Sequence, residues 1–132
     1  MHMDDAEVLA AQARILLANP RIPRMLLFEE RPIDRAALAG TKAHLGVYSL
    51  QLTARGGLAW KHVTRPTWLV FLGDRWVIQP ESALGTPSGY LQLNDPDCLP
   101  TVSAEPWLWW DGSAWARRPG LRSVEVTGPT PP

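Results

Sequence analysis

The sequence predicts an α+β protein: a short helical N-terminal arm over residues 1–43, then a small antiparallel β barrel or sandwich over 44–127. Three observations carry this expectation. Helix formers dominate before residue 43, and β-branched and aromatic residues alternate with Gly, Pro and Asp turns after it. A tryptophan-framed segment also occurs twice, at 68–80 and 107–119, with the shared pattern W-L-x-[F/W]-x-G-x-x-W-x-x-x-P. Two such units cannot close a propeller, so the economical arrangement is two duplicated Trp-framed hairpins sharing one core.

In the arm, Asp4 or Asp5 caps a helix over 4–18, with Val8, Leu9, Ile15, Leu16 and Leu17 near helical spacing and Asn19-Pro20 as its stop. The run Met25-Leu26-Leu27-Phe28 is one helical turn or a short strand, and periodicity does not separate the two. A second short helix begins at Asp34 and ends before Gly40. Strands are expected near 46–53, 58–64, 67–72, 75–79, 89–94, 107–110, 113–117 and 121–127, followed by a disordered tail over 128–132.

The repeat extends upstream of the frame. A Tyr-Leu-Gln-Leu-like strand precedes each copy, at Tyr48 and at Tyr90, giving units of 46–80 and 89–119. A Gly73-Asp74 loop places Phe71 opposite Trp76, and equivalence of the hairpins then requires Trp110, not Leu108, opposite Trp115. Phe71, Trp76, Trp110 and Trp115 are accordingly expected in the shared core. Trp107 and Trp109 alternate onto the other face and, with Trp60, form the expected exposed patch.

Thirteen basic residues balance thirteen acidic ones, so no overall field exists to hold a nucleic-acid backbone or an anionic membrane surface. One cysteine, Cys98, excludes an intramolecular disulfide framework. The acidic start, Met1-His2-Met3-Asp4-Asp5, is unlike a secretory leader, and no apolar run approaches a membrane span; the expected location is cytoplasmic.

No constellation converges on chemistry. Asp95, Asp97 and Cys98 with His44 or His62 match no compact metal pattern, and no local signature makes Cys98 a nucleophile with His62 as base. Glu105 and Asp111 are too far apart in the hairpin for an acid/base pair. Neither metal nor cofactor is expected. The expected function is a non-catalytic protein-interaction or assembly module binding a protein partner or a second copy of itself. Its contact surface would be Trp60, Trp107 and Trp109, rimmed by Arg117 and Arg118. A carbohydrate-binding module using the same aromatics is the alternative reading, and an accessory subunit or enzyme with an unrecognised site is the third.

Trp109-Trp110-Asp111-Gly112-Ser113-Ala114-Trp115 resembles the aromatic-W-D-G-x-x-W core of a short domain of unknown function found in actinobacterial envelope proteins. The resemblance implies a hairpin there and carries no activity.

Overall fold

The computed structural model describes residues 7, 22–31, 42–52, 58–84 and 86–126. Nine strands follow one another: β1 Met25–Glu30, β2 Gly46–Leu52, β3 Leu58–His62, β4 Thr67–Phe71, β5 Trp76–Pro80, β6 Leu91–Leu93, β7 Trp107–Trp110, β8 Trp115–Arg118 and β9 Leu121–Glu125. They form one sheet ordered β8-β7-β6-β5-β4-β3-β2-β1-β9, antiparallel at every pairing.

This overturns the predicted α+β class. The described chain is nearly all antiparallel β in a nearly closed barrel, and no helix of seven residues or more occurs among the described residues. The expected arm fails as a helical unit at residues 25–30, which form a strand paired on one side with β2 and on the other with β9. The physical reason lies in the alternation: Leu26, Phe28 and Glu30 are buried while Met25 is exposed, a period of two that a four-residue apolar run conceals. Of the arm's expected helices, the first falls outside the described residues except for Glu7, which is helical, and the second falls wholly outside them.

Strand parity shows how the sheet closes. Eight successive antiparallel steps make β8 and β9 run in the same direction, yet only Pro119 and Gly120 separate them. Parallel neighbours require a crossover of a dozen or more residues, so β8 and β9 are successive parts of one bent strand. Its first half pairs with β7 and its second with β1, giving an eight-stave up-and-down barrel. The Arg31 amide donates to the Gly120 carbonyl at 2.8 Å, carrying the β1 ladder into the bend.

A charged pair spans this seam inside the barrel. Arg118 Nε lies 2.6 Å from Glu30 Oε2, and its Nη2 donates to Oε1 at 2.9 Å, with both side chains almost wholly buried. The guanidinium also sits 4.9 Å over the Trp109 ring. Arg118 lies opposite Trp107, which meets the Phe28 ring edge-on at 5.0 Å.

The interior is filled by Leu26, Phe28, Tyr48, Trp60, Leu69, Trp76, Ile78, Leu91, Leu93, Trp107 and Leu121. A second, smaller cluster of Ala59, Trp68, Val70 and Val77 lies on the opposite face of β3, β4 and β5, joined by Leu72 and Leu84. Gln79 on that face donates to the carbonyls of Thr86 and Ser88, and Trp68 Nε1 donates to Glu81 at 3.2 Å, so the segment after β5 folds back over it.

Candidate functional site

The two hairpins are equivalent, as the frame requires. Phe71 pairs with Trp76 and Trp110 with Trp115. In each, the residue before the glycine donates its amide to the carbonyl three positions on, Leu72 to Arg75 at 2.9 Å and Asp111 to Ala114 at 3.1 Å. Gly73 and Gly112 occupy matching places with φ of +100° and +105°. The longer repeat does not hold: its first copy spans β2 to β5, four strands, and its second β6 to β8, three.

Equivalent hairpins nevertheless present opposite faces. The second frame begins three strands after the first, an odd offset, so the two turns lie at opposite ends of the barrel. A meander advances around the barrel in one sense, so one hairpin reaches the position of the other by a half-turn about the tangent to the wall. That rotation exchanges the ends of the barrel and also its inside and outside. The expectation of a shared aromatic core is therefore corrected. Trp76 is buried inside with Phe71 at the rim, whereas Trp110 and Trp115 project outward at 47% and 39% exposure.

The same inversion governs the residues expected at the contact surface. Trp107, the counterpart of outward Trp68, is interior and 2% exposed. Trp109 is interior and partly buried against the core. Trp60 is fully buried at 0% and donates Nε1 to the Pro23 carbonyl at 2.9 Å, because its cross-strand neighbours Leu50 and Leu69 face the interior. Arg118 is buried in the seam pair. Only Arg117 is exposed, on the outer face it shares with Trp115. Trp60, Trp107, Trp109 and Arg118 thus form no exposed patch.

The exposed aromatics are a different set: Phe71 at the end of β4, Tyr90 just before β6, and Trp110 and Trp115 on β7 and β8. Extending the register one step beyond Leu91 and Trp109 puts Tyr90 opposite Trp110, and the Trp110 amide donates to the Tyr90 carbonyl at 3.3 Å. Trp110 and Trp115 thereby face outward side by side, while Tyr90, just before β6, turns its ring over the barrel end onto His44. The Trp110 and Trp115 rings meet at 5.6 Å and 66°, and Tyr90 is 46% exposed. Sequence reasoning missed Tyr90 because it was read only as part of a strand repeat.

The tryptophan pair stands on a braced turn. Asp111 Oδ1 accepts the amides of Ser113 and Ala114 at 2.9 Å each, which holds its carboxyl below the usual carboxylate range and fixes the turn between the two tryptophans. Tyr90 stacks on His44 at 4.5 Å and 27°. His44 is buried, and desolvation, aided by Arg65 and His62, lowers its pKa from 6.5 to about 4. Its carbonyl accepts the Tyr48 hydroxyl at 2.6 Å. His62 Nδ1 accepts the Thr64 amide at 3.1 Å, so Nε2 carries the proton and donates to the Leu45 carbonyl at 3.0 Å. Both histidines are in this way built into the barrel end.

Burial raises the pKa of the Cys98 thiol, reinforced by Asp95, the opposite of what an activated nucleophile needs. No group of three or more His, Cys, Asp or Glu among the described residues is arranged to hold a metal ion. No helix among them is long and apolar enough to cross a membrane. No known protein family, curated protein or solved structure matches this chain.

Proposed function

We propose that the protein is a non-catalytic interaction module, acting in the cytoplasm, that binds a protein partner through the outward pair Trp110 and Trp115. The observation that carries this reading is the exposure of two tryptophans paired in register on the outer face of a hairpin whose turn is braced by Asp111. Rigid rings lose little entropy on contact and supply large apolar area, which is why such residues dominate binding surfaces. The 66° angle between Trp110 and Trp115 supports a protein ligand over a sugar, since the two rings offer no common flat platform for a pyranose. Arg117, on the same face, supplies a polar rim.

A photo-crosslinking amino acid placed at Trp115 in cells of the source organism tests this, with Val102, 68% exposed and outside the pair, as the control position. Discrete protein adducts from position 115 and none from 102 are expected. The same adducts from both positions, or none from 115, overturn the reading.

A further inference from the structure

We propose that the barrel pairs edge to edge with a second copy of itself, β8 lying antiparallel to β8 across a twofold axis at Ala116. The inference rests on Trp110 and Trp115 forming a contact face, and it names the partner as this same chain.

Backbone direction leaves β8 with an open edge. The Asp111 amide donates to the Ala114 carbonyl and the Trp110 amide to the Tyr90 carbonyl, so Trp110 and Trp115 are a non-hydrogen-bonded pair in the ladder of β7 with β8. Ala116 and Arg118 therefore turn their backbone groups to β7. Trp115 and Arg117 point their N–H and C=O groups the other way, where they meet no partner among the described residues. In its own register β1 does not close this edge. Arg31 bonds to Gly120, so that ladder would next need Arg118, whose backbone is committed to β7. The turn at Pro119-Gly120 shifts the phase of the strand by one residue, which is why Arg118 and Leu121 are both buried inside. An unpaired edge of this kind is a template for another strand.

The edge is complementary to itself. Pro119 has no N–H and the Ser113 amide is given to Asp111 Oδ1, so Trp115 and Arg117 are the donors that this edge offers. Pairing Trp115 with its own copy would set Arg117 against Ser113 in the turn. Pairing Arg117 with its own copy would set one guanidinium against the other and Trp115 against Pro119. Pairing Trp115 with Arg117 satisfies every donor, in two hydrogen-bonded pairs that flank Ala116.

Side chains favour the same register. Each Arg117 then lies directly across from Trp115 of the second copy on the outer face, a cation–π contact made twice. Arg117 has no acidic partner among the described residues, and Trp110 holds the Trp115 ring from the other side at 5.6 Å. Ala116 adds little bulk on the axis, where the two strands approach to about 4.5 Å between Cα atoms.

Sedimentation equilibrium of the full chain tests the proposal. A dimer is expected, weakened at least tenfold by Arg117→Pro, which deletes an edge donor and the cation without touching the bonds to β7. Far-ultraviolet circular dichroism checks that this variant keeps its fold. In a Cys98→Ser background, Ala116→Cys should give a disulfide-linked dimer on mild oxidation, because Cα atoms about 4.5 Å apart can be bridged, and Val102→Cys should not. This second test decides alone if Arg117→Pro does not fold. A chain that stays monomeric, association indifferent to Arg117→Pro, or equal cross-linking of Ala116→Cys and Val102→Cys overturns the proposal. So does a dimer in which Ala116→Cys forms no disulfide. Photo-crosslinks from position 115 to a different protein, with the chain monomeric, leave the contact face standing and remove the second copy. A monomeric chain without such cross-links removes both.

Discussion

Replacing Glu30 by Gln tests whether the barrel seam is held by the charged pair with Arg118. The substitution keeps the shape and removes the anion, leaving a guanidinium that is itself almost wholly buried. Removing one partner of a buried pair costs about 3–5 kcal/mol, because the remaining charge is desolvated without compensation. The Trp109 ring, 4.9 Å from the guanidinium, offsets part of this, on the order of 1–2 kcal/mol, and places the expected loss near the lower bound, about 3 kcal/mol. With a urea dependence of about 2 kcal/mol per molar, the unfolding midpoint falls by roughly 1.5 M. Replacing both partners, Glu30→Leu with Arg118→Met, removes both desolvation penalties and should recover most of that loss. Urea denaturation of the wild type, Glu30→Gln, Glu30→Leu, Arg118→Met and the Glu30→Leu, Arg118→Met double variant, followed by circular dichroism, closes the cycle. A loss below about 1 kcal/mol for Glu30→Gln, or additive losses in the double variant, would refute the reasoning.

Two further outcomes follow from the same barrel end. His44 has a folded pKa of about 4 against 6.5 unfolded, so its neutral form stabilises the fold fully above pH 6.5. That contribution is lost as pH falls from 6.5 towards 4 and amounts to about 3 kcal/mol. In urea titrations at several pH values, the stability difference between wild type and His44→Gln should shrink across this window; a constant difference contradicts the assignment. Gly46 has φ of +131°, and a Cβ there would lie 2.7 Å from His62 Nε2, whereas Gly112 at +105° has open space around it. Gly112→Ala should cost about 1–2 kcal/mol from backbone strain alone, and Gly46→Ala measurably more because it also disturbs the His62 bond to Leu45. Equal melting temperatures for the two variants would show that the close approach is not felt.

The strands after residue 44 were legible in the sequence, whereas the α+β class it suggested was wrong. All eight strands expected after residue 44 are present within a residue or two at most ends, because alternation and turn residues mark them directly. The hairpin register was also legible, since both frames place glycine at the same distance from the flanking aromatics. Residues 25–30 were not, because Met25-Leu26-Leu27-Phe28 has no period of its own and becomes a strand through the ladders on either side. The direction of the tryptophans was misread for a topological reason. Alternation sorts Trp107 and Trp109 from Trp110, but only a count of strands between the frames shows that the second hairpin is turned inside out relative to the first. That count was available in the expected strand order. The burial of Arg118 was not, since its partner Glu30 lies 88 positions away across the seam.

The inversion of the two frames is most directly measured by labelling all 7 tryptophans with 5-fluorotryptophan and adding a soluble paramagnetic agent. Fluorine resonances are assigned by single Trp→Phe substitutions, which also serve as fold controls. The account predicts strong broadening at Trp110 and Trp115 and sharp lines at Trp60, Trp76 and Trp107. Protection of Trp110 and Trp115 together with broadening of Trp107 would contradict it, placing the second hairpin the other way round in the barrel wall.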